Sequence, residues 1–281
     1  MKPPLSISQV SIALWLALSL SAHAEDATNG RALNPCLQDT QDTQAIGLAL
    51  DQTSLHKLTS ENGQTFILSG LLVETLIPPA LEEKRMARIL ALLEQSDATL
   101  KLLADPSAKA DRYGRLPVFV LRGEPSGEQS AAADTVQEHL IRAGLARVDP
   151  ALLSSACARH LLTLEQRARD KHTGLWKEET YRAKDANHLH LSAIVSTYQL
   201  IKGTVRSVSR RPETTSYLNF GHYWKKDFTV TLSKKSLAAW ERENKSLDEL
   251  DKAHIYVRGW IEDRGGPLIR INHPWQLQQR P

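Results

Sequence analysis

The sequence is poor in cysteine, with Cys36 and Cys157 the only two in 281 residues. Two cysteines without a C-x-x-C spacing argue against a structural zinc site. No G-x-S-x-G phrase, H-E-x-x-H phrase or phosphate-binding glycine loop occurs, so the commonest motif-borne hydrolase and nucleotide chemistries have no signature here. Repeats of the solenoid kind are missing. Long apolar runs are missing too, except near the N-terminus, so no other stretch is expected to span a bilayer.

The N-terminus carries Lys2, the short apolar run "IALWLALSL" from Ile12 to Leu20, and the small-residue phrase Ala22-His23-Ala24. Together they predict a secretory signal peptide cleaved after Ala24, with a periplasmic or secreted product and no membrane span once it is removed. In an oxidising compartment Cys36 and Cys157 are expected to pair. The remaining length, about 255 residues, suits two small domains or one large one. Forty-one per cent apolar content is enough for ordinary cores.

Charge is uneven along the chain. Residues 25–180 hold 17 Lys and Arg against 22 Asp and Glu, a balance of −5, while residues 181–281 hold 17 against 10, a balance of +7. The break falls at the polar stretch "YRAKDANHLH", which reads as a linker. The expected organisation is a signal peptide at 1–24, a first domain at 25–180, a linker at 181–192 and a second domain at 193–281. His188 and His190 stand two apart in the linker without an evident third ligand, and read as solvated. A basic second half attracts nucleic acid or anionic surfaces, and a merely solvated basic face is the other reading.

Short β-rich runs from Gly47 to Val73 are broken by Asn62-Gly63, a hairpin signal. Glu82 to Leu103 reads as a helix with Met86, Ile89, Leu90 and Leu93 on one face. "RLPVFVL" reads as a strand after a turn at Gly114. Asp134 to Leu145 reads as a second helix, capped by Asp134 with Gln137 three residues on and ended by Gly144. A third helix begins at Ser154 or Ser155, buries Ala156, Leu161, Leu164 and Ala168, and stops at Gly174. These stripes read as core faces rather than cofactor boxes. After the linker come five short β-runs, "YQLIKGTVRSVS", "TSYLNF", "DFTVTLS", "HIYVRGWIE" and "PLIRIN", with one helix at Ser236 to Asn244. That set suits a Greek-key barrel of the oligonucleotide-binding (OB) type.

Three phrases in order, "DRYGRLPVFV", "TVQEHLIRAGLARV" and "LLTLEQRARDKHTGLW", resemble the staphylococcal nuclease (thermonuclease) family over roughly residues 44 to 177. The resemblance implies a β-barrel with helices (α+β): a staphylococcal-nuclease-like OB-fold domain, here followed by a second small OB-like barrel. It also implies an ancestral calcium-dependent hydrolysis of phosphodiesters in DNA and RNA. That chemistry needs several oxygen ligands for a hard calcium ion, a carboxylate to activate water and two arginines on the phosphate. In this chain the metal-binding D-G-D-T phrase falls on Asp51-Gln52-Thr53-Ser54. Its first Asp is kept and its ligand Asp becomes Thr53. The strand arginine falls on Ile67, the second metal Asp on Leu72, and the base glutamate near Thr75, with Glu74 one place away. Arg115 matches the second phosphate arginine.

The resemblance therefore implies a degenerate nuclease domain without a cofactor, with calcium entering only if the chain is an active nuclease using Asp51, Glu74 and Arg115. The second half resembles β-barrel regions appended to exported bacterial nuclease-like proteins, which implies architecture alone. Its "YLNFG" and "W-x-x-DF" phrases read as turn and core anchors. The other reading is that Tyr217, Phe220, Tyr223 and Trp224 are exposed and stack bases beside Arg210, Arg211, Lys225 and Lys226. Three functions stand: a non-catalytic exported module binding nucleic acid, a glycan or an envelope protein through its two barrels, a calcium-dependent nuclease with a rearranged site, and a structural envelope component. The oligomeric state is left open.

Overall fold

Asn62 and Gly63 reverse the chain as expected. Gly63 takes a left-handed φ of 82°, and its N–H bonds back to the Ser60 carbonyl at 2.8 Å. The turn joins β3 (Leu58–Ser60) to β4 (Thr65–Leu68), an antiparallel pair. In this computed structural model the described residues are 34–43, 48–50, 57–72, 77–94, 101–121, 134–187, 191–223 and 225–279. The expected signal peptide, Asp51, Thr53, Glu74, Thr75, His188, His190 and Trp224 lie outside them.

The first sheet also contains β1 (Gln41–Asp42), β2 (Leu48–Leu50), β5 (Lys101–Ala104) and β6 (Leu116–Leu121). Its strand order is β1-β5-β6-β4-β3-β2, and β4 runs parallel to β6. Between β4 and β5 lies α1 (Pro79–Glu94). Here the sequence reading needs correction, because the helix expected to reach Leu103 ends at Glu94. Leu102 instead alternates into the core as part of β5, opposite Val120 of β6. Within α1 the buried line is Arg85, Ile89 and Leu92, while Leu90, expected on the core face, is 41% exposed.

Helix α2 (Val136–Arg142) is capped one residue later than expected. The Thr135 hydroxyl accepts the Glu138 N–H, and the Glu138 carboxylate accepts the Thr135 N–H, a reciprocal capping box. Asp134 pairs instead with the Arg142 guanidinium at 2.7 Å and 3.0 Å. Gly144 ends the turn at φ 67°. Helix α3 (Ser155–Asp170) is capped by Ser154 and buries Leu161, Leu162 and Leu164 against the barrel. Of the expected stripe, Ala156 is not buried. Cys36 and Cys157 form the expected disulfide, with Cα atoms 4.4 Å apart.

The second sheet is built from β7 (Lys184–Asp185), β8 (Tyr198–Thr204), β9 (Ser207–Ser209), β10 (Thr215–Asn219), β11 (Thr229–Ser233), β12 (His254–Asp263), β13 (Pro267–Ile271) and β14 (Leu277–Gln279). Its order is β7-β8-β12-β13-β11-β10-β9, with β14 on β12. β8 and β9 are successive parts of one bent stretch, pairing β12 at one end and β10 at the other, so the sheet closes into an OB-like barrel. Between β11 and β12 lies α4 (Lys234–Arg242), which starts two residues before the expected Ser236 because Ser233 caps it. Ile201, Leu218, Val230, Leu232, Ile255 and Ile269 fill its interior.

The two barrels share a plan. In each, a helix separates a strand from the next one along the chain, and that strand runs parallel to the one after: α1 follows β4, which is parallel to β6, and α4 follows β11, which is parallel to β13. Tyr181 is buried beside Trp176, and β7 joins the second sheet alongside β8. A polar seam ties the two halves. Arg258 of β12 grips Glu165 of α3 with Nη2 to Oε2 at 2.6 Å and Nη1 to Oε1 at 3.1 Å, both side chains essentially without solvent contact. Arg147 donates to the Tyr198 carbonyl and lies over the Tyr181 and Tyr198 rings. No helix among the described residues is long and apolar enough to cross a membrane.

Candidate functional site

Gly114, at φ 75°, tightens the turn that carries Arg115 to the start of β6. Asp111 organises this turn. Its Oδ1 accepts the Tyr113 and Arg115 N–H groups at 2.8 Å and 3.0 Å. Its Oδ2 accepts Arg115 Nε at 2.8 Å and lies 2.7 Å from Nη2. Slight burial works to raise the Asp111 pKa, and the Arg115 hydrogen bonds and charge outweigh it, holding the carboxyl below its ordinary value. Tyr113 stands out into solvent between Arg112 and Arg115, whose guanidinium carbons lie 4.9 Å and 5.1 Å from its ring centre. The fork that would grip a phosphate is thus closed on its own neighbour.

Ile67 lies half-buried on the outer face of β4, in register with Pro117 of β6. Leu72 is 4% exposed, and its N–H donates to the Arg147 carbonyl at 2.9 Å. The segment from Gly70 to Leu72 is sewn to 147–149 by that bond, by a bridge between Leu71 and Val148, and by the Asp149 N–H on the Gly70 carbonyl. A buried leucine side chain offers no oxygen, so this position does not fit calcium. No group of three or more His, Cys, Asp or Glu among the described residues is placed to hold a metal ion. The structure therefore brings no partner of the expected nuclease set to Arg115 among the described residues. Asp51 and Glu74 fall outside them.

The second barrel presents a different face. Ser216, Leu218, Val230 and Leu232 point inward, and the residues between them face out. Strand register lines up Ser209, Tyr217, Thr231 and Arg270 across four strands, with Ser207, Asn219, Thr229 and Leu268 as the next row. They floor a hollow of about 850 Å³ that Arg206, Arg211 and Arg264 also line. Arg211 lies over the Tyr217 ring at 5.6 Å. A second hollow of about 920 Å³ continues past Arg206, Ser207, Gly221 and His222 to Tyr223 and Lys252.

Of the residues expected to contact nucleic acid, Arg211 lines the first hollow. Lys225 and Lys226 sit with His222 and Tyr223 at the far end. Arg210 turns to α4 and pairs with Glu241 at 2.6 Å, and Trp224 is outside the described residues. Phe220 is no stacking platform, since it is 5% exposed and packs on Phe228 with ring centres 5.1 Å apart. Its phrase anchors the turn and core. Asp227 accepts the Tyr223 N–H at 2.6 Å and lies so close under Gly221 that a Cβ there would meet its Oδ2 at 2.0 Å. Sequence reasoning missed Arg206, Arg264 and Arg270. The signal available was polar alternation in "TSYLN", "TVTLS" and "PLIRI", which puts hydroxyls, a tyrosine and an arginine on one face.

Fold and faces together describe a protein of two OB-like barrels with helices. A family model described as staphylococcal nuclease homologue matches residues 87–178. The matched stretch contains Arg115 and begins after Ile67 and Leu72 in sequence. No curated protein matches the chain.

Proposed function

We propose that this is an exported thermonuclease-family protein that does not cleave phosphodiesters and serves as a binding module in the cell envelope. The observation that carries the reading is that Arg115 is forked onto Asp111, while Leu72, where the sequence resemblance puts the second metal Asp, is buried. Hydrolysis of a phosphodiester needs charge neutralised as it develops, and removing one preorganised donor typically lowers turnover about 100-fold or more. Ile67 supplies no charge, and Leu72 supplies no ligand. No step is therefore assigned to calcium.

The test is digestion of plasmid and single-stranded DNA with calcium and with chelator. No calcium-stimulated cleavage is expected. Cleavage that rises with calcium and disappears in Arg115→Ala would overturn the reading in favour of a rearranged nuclease using Asp51 and Glu74. Export is supported by the "IALWLALSL" run, the Ala22-His23-Ala24 phrase and the Cys36–Cys157 disulfide. N-terminal sequencing of protein recovered outside the cytoplasm should begin at Glu25. An intact Met1 terminus on cytoplasmic protein would refute it.

A further inference from the structure

The outer face of the second barrel has the chemistry of a ligand site. Four arginines line the first hollow and no carboxylate does, among the described residues. Glu262 alone offsets them, shared by Arg270 at 3.1 Å and Arg264 at 3.5 Å. Arg206 and Arg211 are exposed and have no acidic partner among the described residues. A concave surface with this imbalance concentrates anions, because the fields of four cations against one carboxylate add across the low-dielectric wall. All four cations are arginine. The planar guanidinium fork grips phosphate oxygens in pairs, which a lysine cannot do.

Shape narrows the ligand to a chain. The two hollows, about 850 Å³ and 920 Å³, share Arg206, Ser207, Gly221 and His222, and so form one continuous groove, the second part adding Lys252 and one carboxylate, Asp227, which accepts the Tyr223 N–H. Each is as large as a pocket that encloses a whole drug-sized molecule, so their sum suits several units of a polymer. Aromatic faces narrow it again. Tyr217 lies on the floor, half-buried, and Tyr223 stands 72% exposed at the continuation. Rings of this kind gain from planar bases, which a single strand offers and a duplex keeps stacked on each other. Ser207, Ser209, Thr231 and Asn219 between them supply hydroxyl and amide groups for phosphate and sugar.

We propose that this groove binds single-stranded nucleic acid, with phosphates on Arg206, Arg211, Arg264 and Arg270 and bases against Tyr217 and Tyr223. The inference rests on the binding-module reading and names its ligand. Glycan or protein ligands are competing outcomes of the test.

The experiment is fluorescence anisotropy of labelled oligothymidylate with the purified protein in chelator, at low and high salt. The strand should bind more tightly than the matching duplex and more tightly than heparin, and affinity should fall steeply with salt. The double variant Arg206→Glu, Arg211→Glu should bind at least about tenfold more weakly, its salt slope shallower by about 0.7 for each phosphate it no longer neutralises. Tyr223→Ala should weaken binding about fivefold or more, and Tyr217→Ala likewise, through weaker stacking. All of these variants except Tyr217→Ala change exposed side chains, so unchanged melting curves should accompany the weaker binding. Absence of strand binding, insensitivity to the arginine pair, or preference for duplex or heparin would each overturn the proposal. Calcium-stimulated cleavage with binding intact would overturn only the non-catalytic reading, whereas neither cleavage nor binding would leave that reading and remove this one.

Discussion

The two barrels follow the same strand plan, and their outer faces carry opposite chemistry. At the parallel pair of the first barrel, Ile67 stands in register with Pro117. At the corresponding pair of the second, Thr231 stands in register with Arg270. Arg115 of the first barrel is paired with Asp111 inside its own turn, while Arg206 and Arg211 of the second are open to solvent. The fold thus fixes where a face lies, and a handful of outward positions decides whether that face can hold an anion. Means of support differ as well. The first barrel has a disulfide between Cys36 and Cys157, and the second leans on the first through Arg258.

The largest expected effect comes from removing the covalent tie. The bridge spans 121 residues, and closing a loop of that size restrains the unfolded chain by about 5 kcal/mol. Cys36→Ala with Cys157→Ala should lower stability by about that much in urea titration, and a change under about 1 kcal/mol would break the contrast between the barrels. Next is Arg258→Ala, which leaves the Glu165 carboxylate buried without its cation. It should cost about 3 to 5 kcal/mol, whereas Arg270→Ala, breaking a pair whose members are 43% and 36% exposed, should cost at most about 1 kcal/mol. Equal losses would show that the seam is no stronger than a surface pair.

A pH titration probes the seam from another side. Burial works to raise the Glu165 pKa, but Arg258, through its charge and hydrogen bonds, outweighs it and holds the carboxyl below its ordinary value. A carboxyl depressed in the folded state adds stability above its unfolded pKa, about 4.3, and that stability drains away as pH falls through the lower folded value. Loss on acidification should therefore begin below about pH 5 in the parent protein. In Arg258→Ala the buried carboxylate keeps only the charge of Arg169 and the Val148 N–H, so burial should push its pKa upward from the parent's and acidification from neutral should first relieve part of the damage. Smallest is Ile67→Arg. The site is half-buried on an outer face, so stability should change by about 1 kcal/mol or less. No calcium-stimulated cleavage should appear, because Leu72 still offers no ligand.

Elements with a local signature are readable in the chain. Asn62-Gly63 marks its hairpin, Ser154 its helix start and Gly144 its helix end, since each acts within one turn of backbone. The first helix reads too long because Leu93, Leu100 and Leu103 keep a helix-like spacing into β5, and short apolar runs do not distinguish the two states. Asp134 looks a better cap than Thr135 although T-V-Q-E holds the full capping box, an error of one residue. The groove is harder to read. Arg206, Arg264 and Arg270 come from three separate segments, and only barrel closure brings them beside Tyr217. Arg210 and Arg211 are adjacent in sequence and look equivalent, yet the connection between β9 and β10 sends one to Glu241 and the other to the groove.

The Arg258–Glu165 contact also sets an order of events in time. The two residues are 93 positions apart, and a ribosome adding roughly 5 to 20 residues per second needs about 5 to 19 s to cover that distance. Throughout that interval Glu165 lacks the cation that hydrogen-bonds both its oxygens, and has only the charge of Arg169 and the Val148 N–H, which donates to it at 2.8 Å. The two-pronged bond that satisfies both Glu165 oxygens therefore reaches α3 only once β12 is made. The seam is thus a keystone that arrives late in synthesis, after most of the arch it closes.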